Sequence, residues 1–193
     1  NSSINITAPT LTIAGNMATE SHTYSGGDGL PESATYTWYR ASNANGTDAV
    51  EIDNFNSQTY TFAPDDDRQF LKVCVLSSNG YMVDEIEACT GWTSIGPLVT
   101  LYADVTQSGT SLSIAYTKTP SGACFDLPNY DFNDLTSSFS ATGASGGSTL
   151  YTYKHIGCND LGVQSHTLGS GMTLSLNYSG PVNDTRSSIK VVY

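Results

Sequence analysis

Two six-residue runs in the C-terminal half of the chain share a pattern that could hold a hard cation. They are Asn133-Asp134-Leu135-Thr136-Ser137-Ser138 and, 50 positions further on, Asn183-Asp184-Thr185-Arg186-Ser187-Ser188. Calcium takes about six to eight oxygens at about 2.3–2.6 Å, drawn from carboxylate, carbonyl, hydroxyl and water. An Asp, a backbone carbonyl and a Ser within one tight turn offer that mixture. The same residues also build turns with no ion, because Asn and Asp cap turns through their own side chains and Ser-Ser can open a strand. One such hexapeptide in a Ser-rich chain says little; two in the same register of a longer repeat say much more.

The remaining reactive inventory is sparse. Ser, His and Asp are all present, but no Gly-x-Ser-x-Gly elbow or comparable nucleophile turn occurs, so no catalytic residue is assigned and the chain is read as non-enzymatic. Cys74, Cys89, Cys124 and Cys158 form no C-x-x-C pair, and of His22, His155 and His166 only His155 lies near a cysteine, which argues against zinc. The cysteines fall two to each half, which suits two intradomain disulfides among three formal pairings and an oxidising compartment. Asp65-Asp66-Asp67 reads either as a second cation site or as a solvated acidic turn.

The formal charge is −11, from 7 basic and 18 acidic residues, so nucleic acid and anionic membrane are expected to be repelled. The first 96 residues carry 12 acidic and 3 basic side chains, net −9; the remainder carries 6 and 4, net −2. Two bound calcium ions would take that second part to +2. No run of about 18 apolar residues suggests a membrane span, and none is expected. The chain opens on Asn-Ser-Ser, without a methionine or signal stretch, and is expected to be a soluble piece of a longer protein. With 38% apolar residues it can build one or two cores.

Positioning these residues falls to strands. Short alternating stretches separated by Gly, Asn, Asp, Ser and Pro run from end to end, with no sustained 3.6-residue period, so the chain reads as all-β. In the first half strands are expected near 11–14, 35–40, 59–62, 69–76 and 82–89, spaced as in a sandwich. Alternation over 69–76 puts Leu71, Val73 and Val75 on the core face and Phe70, Lys72 and Cys74 on the other. A bond from Cys74 to Cys89 would then staple a hairpin on its outer face, worth about 3 kcal/mol in the chain-entropy model. Ser94-Ile95-Gly96-Pro97 reads as a short linker, giving expected domains at 1–96 and 97–193.

The second half repeats itself. The order 99–102, 111–114, 123–127 and Asn133–Ser138 recurs as 148–151, 163–168, 172–176 and Asn183–Ser188, four short strands per repeat. Each Asn-Asp motif precedes the fourth strand, 139–142 or 189–193. These residues resemble the microbial βγ-crystallins, whose signature is Asn/Asp-Asn/Asp-x-x-Ser/Thr-Ser before the fourth strand of each Greek key. The resemblance implies a double Greek-key sandwich with calcium clamped by both motifs. One motif supplies the third-position carbonyl and fifth-position hydroxyl, and the other reaches across with its second-position side chain. The implied ligands are Asp134, the Leu135 carbonyl and Ser137, with Asp184, the Thr185 carbonyl and Ser187. With one carboxylate per ion, affinity in the range of extracellular modules is expected. The family's aromatic-x-x-x-x-aromatic-x-Gly hairpin fits Tyr102 to Gly109 except that Gln107 replaces the second aromatic, and the corresponding loop of the second repeat, 154–162, is longer. A Cys124–Cys158 bond would tie the two Greek keys together.

Thr37-Trp38-Tyr39-Arg40, followed by Tyr60-Thr61-Phe62-Ala63-Pro64-Asp65-Asp66-Asp67 and an alternating strand, resembles the immunoglobulin-like modules of bacterial surface and secreted proteins. Trp38 would be the core tryptophan. Five Asn-x-Ser/Thr sequons occur, at Asn1, Asn5, Asn45, Asn177 and Asn183. A glycan on Asn183 would crowd the second motif, which points to a bacterial source. Tyr151, Tyr153 and Tyr178 are candidate glycan contacts, because tyrosines on a polar β surface can stack on sugar rings.

The function expected from these features is a non-catalytic, calcium-binding adhesion or carbohydrate-binding module of a larger secreted or cell-surface protein. Its partners would be glycans of host mucus, matrix or polysaccharide, and the fragment is expected to be a monomer. The alternatives are a purely structural calcium-stabilised domain pair and a secreted inhibitor or toxin.

Overall fold

The computed structural model describes residues 3–53, 55–79, 85–132, 135–159, 163–178 and 186–193. It is all-β: every described element is a strand or a 3-10 turn of three or four residues. Two compact units emerge. The first holds Asn1–Ile13, Met17–Thr61 and Arg68–Ile95; the second holds Ala14–Asn16, Phe62–Asp67 and Gly96–Tyr193. The expected linker contains the last of these breaks, between Ile95 and Gly96, whereas Ala14–Asn16 and Phe62–Asp67 join the second unit and so depart from the expected division into 1–96 and 97–193.

The first unit contains β1 (Asn5–Ile6), β2 (Thr10–Ala14), β3 (Met17–Ser21), β4 (Tyr24–Ser25), β5 (Ser33–Ala41), β6 (Val50–Glu51), β7 (Thr59–Thr61), β8 (Phe70–Ser78), β9 (Glu85–Cys89) and β10 (Thr93–Ser94). One sheet runs β10-β8-β5-β6 with β9 also on β8, a second runs β2-β3-β7, and β1 pairs with β4. Leu71, Val73 and Val75 are fully buried, as their alternation requires. Trp38 is also fully buried; its Nε1–H donates to the Ser57 carbonyl at 2.8 Å and its ring lies 5.5 Å from that of Tyr60. Burying an indole removes roughly 150–250 Å² from water, about 4–6 kcal/mol of transfer free energy. Strand β3 lies outside the expected set because its core-facing residues are Ala18 and Glu20, both fully buried, and a buried carboxylate breaks the apolar alternation.

The second unit contains β11 (Val99–Asp104), β12 (Ser108–Ile114), β13 (Cys124–Asp126), β14 (Ser138–Thr142), β15 (Ser148–Tyr153), β16 (Gln164–Leu168), β17 (Thr173–Asn177) and β18 (Ser188–Val192). Its two four-stranded sheets run β12-β11-β14-β17 and β13-β18-β15-β16. Each takes the first, second and fourth strands of one repeat and the third strand of the other. Neither repeat can therefore complete a sheet alone. Inward residues of both sheets, among them Val99, Leu101, Ile114 and Phe139 from one and Phe125, Leu150, Ile189 and Val191 from the other, form one core. Tyr116 crosses it and donates its hydroxyl to the Thr142 carbonyl at 2.7 Å.

The acidic run 65–67 is built into this unit. Asp66 is fully buried and its Oδ2 accepts the Ala63 N–H at 2.7 Å, closing a 3-10 turn over Pro64–Asp66. Asp67 accepts the Leu98 N–H at 2.8 Å through Oδ1 and the Thr142 hydroxyl at 2.9 Å through Oδ2. Two of the three carboxylates thus hold backbone and hydroxyl donors.

Candidate cation site at the paired serine turns

Asp134, Asp184 and Thr185 lie outside the described residues; Leu135, Ser137 and Ser187 lie within them. The two serines occupy equivalent places. Ser137 donates its N–H to the Tyr102 carbonyl at 2.8 Å and accepts the Tyr178 N–H at 2.8 Å; Ser187 donates to the Tyr153 carbonyl at 3.0 Å and accepts the Leu127 N–H at 2.8 Å. In each turn the fifth residue bridges the end of its own repeat's first strand to the segment flanking the other repeat's third strand. Backbone position is thus set twice over, leaving the side-chain oxygen of each serine to other partners. Both residues are buried, at 3% and 7% exposure, while Leu135 is 43% exposed.

The sixth-position serines are structural. Ser138 Oγ donates to the Asp104 carbonyl at 2.6 Å and accepts the Gln107 N–H at 3.1 Å. Ser188 Oγ donates to the His155 carbonyl at 2.6 Å and accepts the Cys158 N–H at 3.2 Å. Each hydroxyl folds the loop after the repeat's first strand back over the sheet. Gln107 and Cys158 adopt the same left-handed backbone, φ 53° in both. They are therefore counterparts, although one is an amide and the other a disulfide cysteine.

Both disulfides are present. Cys74 and Cys89 face each other across β8 and β9, with Cα atoms 4.0 Å apart, and Cys124 joins Cys158 at 5.9 Å. The second bond anchors the loop beneath Ser188 to strand β13 of the other repeat.

The fourth position differs between the turns. Thr136 is 1% exposed, and its hydroxyl has no hydrogen-bond partner among the described residues. Arg186, also 1% exposed, stacks on Tyr178 with its guanidinium carbon 5.2 Å from the ring centroid and donates from Nη1 to the Thr152 carbonyl at 3.4 Å. This buried cation lies one residue from Ser187. Burial, aided by the Arg186 charge, lowers the pKa of His166, and burial raises that of the Tyr178 phenol.

Of the three tyrosines expected to meet sugars, two are not available. Tyr178 is 6% exposed, with its hydroxyl on Thr152 Oγ1 at 3.1 Å and its ring against Phe139; Tyr153 is 5% exposed. Tyr178 is part of the core and Tyr153 has Lys190 Nζ 5.5 Å from its ring centroid, and at this burial neither ring offers a face to solvent. Tyr151 is half-buried, with Lys190 Nζ 5.3 Å from its ring centroid.

Among the described residues no group of three or more His, Cys, Asp or Glu side chains is placed to hold a metal ion. The expected clamp does not need one, since it draws one carboxylate, a carbonyl and a hydroxyl per ion. No protein-family model matches the chain, and no curated protein matches it significantly.

Proposed function

We propose that the second unit is a double Greek-key module of βγ-crystallin type. In this reading calcium is held by Asp134, the Leu135 carbonyl and Ser137 together with Asp184, the Thr185 carbonyl and Ser187. The first unit is an immunoglobulin-like spacer, and the pair is a non-catalytic part of an exported protein. The observation that carries this reading is the equivalence of Ser137 and Ser187, each pinned by the same pair of backbone hydrogen bonds at the mouth of the fourth strand. The strand order adds support, because in each repeat the fourth strand lies beside the first, the return that defines a Greek key. Each bound cation would join the carboxylate of one motif to the carbonyl and hydroxyl of the other, and so hold together two turns that lead into separate sheets. Two disulfides fit export to an oxidising compartment.

Burial of Tyr153 and Tyr178 favours a stabilising role for the ion over glycan recognition by this unit, leaving Tyr151 as its remaining sugar-facing candidate. Melting of the intact chain in calcium and in chelator tests the ion. At about 100 times the dissociation constant each site adds about 2.7 kcal/mol, a rise of several degrees. Equal melting temperatures would rule out the ion. A glycan array in calcium then separates an adhesion module from a purely structural one.

A further inference from the structure

We propose that the outer face of the β5-β8-β9 sheet carries a binding groove for a short neutral oligosaccharide, in a unit to which the cation reading assigns no site. The register places Tyr39 opposite Lys72, and Cys74 between Thr37 and Cys89, all on the face turned away from Trp38 and Val73. Cys74 is only 5% exposed despite facing outward, because the disulfide and its neighbours form a floor. Above that floor lies a groove of about 460 Å³, walled by Trp92, Glu87 and, from the loop 42–49, Asn45, Gly46 and Ala49. That volume falls within the usual range of about 300–1,000 Å³ for small-molecule sites.

The loop that forms this wall is tied together by its own hydrogen bonds. Asp48 accepts the Ser42 N–H at 3.2 Å through both carboxylate oxygens and the Asn43 side-chain amide at 2.8 Å, and Asn43 Oδ1 accepts the Asn45 N–H at 3.1 Å. Gly46 is left-handed at φ +64°, and a Cβ there would lie 2.3 Å from the Trp92 indole. Only glycine lets the loop seat on the ring. A pre-organised wall lowers the entropy cost of binding.

The lining chemistry selects the ligand. Lys72 Nζ lies 5.9 Å from both the Tyr39 and the Trp92 ring centroids, held between two aromatic groups and with no ion pair among the described residues. Its ammonium donates, the Glu87 carboxylate accepts, and Asn45 does both, so the groove presents a mixed set of hydrogen-bond partners beside aromatic surface. A purely apolar ligand would leave those groups unpaired. An anion would meet Glu87 in a segment carrying 12 acidic and 3 basic residues. A pyranose meets every requirement: one face is C–H and packs on aromatic rings, and its rim of hydroxyls both donates and accepts.

The test is amide chemical-shift mapping on the intact chain with millimolar cello-, xylo-, manno- and chito-hexaose and, as an anionic control, oligogalacturonate, each in calcium and in chelator. The expected result is that at least one neutral hexaose perturbs residues around Tyr39, Asn45, Lys72, Glu87 and Trp92 with chelator-insensitive affinity. Lys72→Met and Glu87→Gln, which keep side-chain volume, should each weaken it about tenfold. The proposal is overturned if no neutral hexaose shifts these residues, if the perturbations gather around Tyr151 and Lys190 instead, or if oligogalacturonate binds more tightly. Because the groove contains no proposed ion ligand, failure of calcium binding leaves this outcome unaffected, and failure here leaves the cation reading intact.

Discussion

Ser138 and Ser188 perform the same task in the two repeats: each hydroxyl donates to a carbonyl 2.6 Å away, that of Asp104 or His155, and accepts the N–H of a residue in left-handed conformation, Gln107 or Cys158. Both serines are fully buried. Replacing either by Ala leaves a buried carbonyl and N–H without their partner. Ser138→Ala and Ser188→Ala should therefore each cost roughly 1–3 kcal/mol. Urea denaturation of the intact chain checks this; a loss confined to one of the two would break the equivalence.

The disulfides differ in the loop they close. Cys74–Cys89 spans 15 residues and Cys124–Cys158 spans 34, so chain entropy predicts losses of about 3 and about 4 kcal/mol on paired replacement by Ala. Thermal melts of the two double variants should rank in that order. The reverse ranking would mean that packing around one bond, not loop closure, dominates.

Two half-buried histidines, His22 and His166, should respond to pH with opposite sign. His22 is wedged between Glu20 and Glu32, each carboxylate 2.8 Å from a ring nitrogen, and Ser77 also bonds Glu32. Burial pulls its pKa down, but the hydrogen bonds to Glu32 and Glu20 and their charges outweigh that and leave it above 6.5. Those two carboxylates also raise the pKa of Tyr36 after burial has done so. The stability His22 contributes is complete below pH 6.5 and is lost as pH rises through the higher folded value. His166 is shifted downward by burial and Arg186, so its contribution is complete above 6.5 and is lost as pH falls towards the lower folded value. An NMR titration of the imidazole protons should find His22 titrating above His166; the opposite order would contradict both assignments.

Asp67 should matter for stability without touching the ion. Asp67→Ala removes the acceptor for the Leu98 N–H and the Thr142 hydroxyl, a loss of about 1–3 kcal/mol, and the calcium response should be unchanged. A variant as stable as wild type, measured by denaturant unfolding, would return the acidic run to a merely solvated role.

Much of this arrangement can be read from residue order. Alternation in β8 sorts Leu71, Val73 and Val75 inward and Cys74 outward, and that alone makes a cross-strand bond to Cys89 reasonable. The repeat offset locates both serine turns. The exchange of β13 and β17 between sheets is less visible, because a short strand carries no mark of which partner edge it joins. Glu20 hides β3, since its burial rests on a bond to His22 just past the strand, whose other ring nitrogen is held by Glu32 from further along the chain. Tyr178 and Tyr153 look like surface residues because a tyrosine suits core and surface alike, and only tertiary packing decides. Gln107 and Cys158 conceal their equivalence because what they share is a backbone angle, not a side chain.

The central claim, that Asp134 and Asp184 complete two cation sites with Ser137 and Ser187, is tested most directly by calorimetric calcium titration of the intact chain and of Asp134→Ala and Asp184→Ala. Two binding events in the wild type and the loss of one in each variant are predicted. Two events surviving in both variants, or none in the wild type, would contradict the claim.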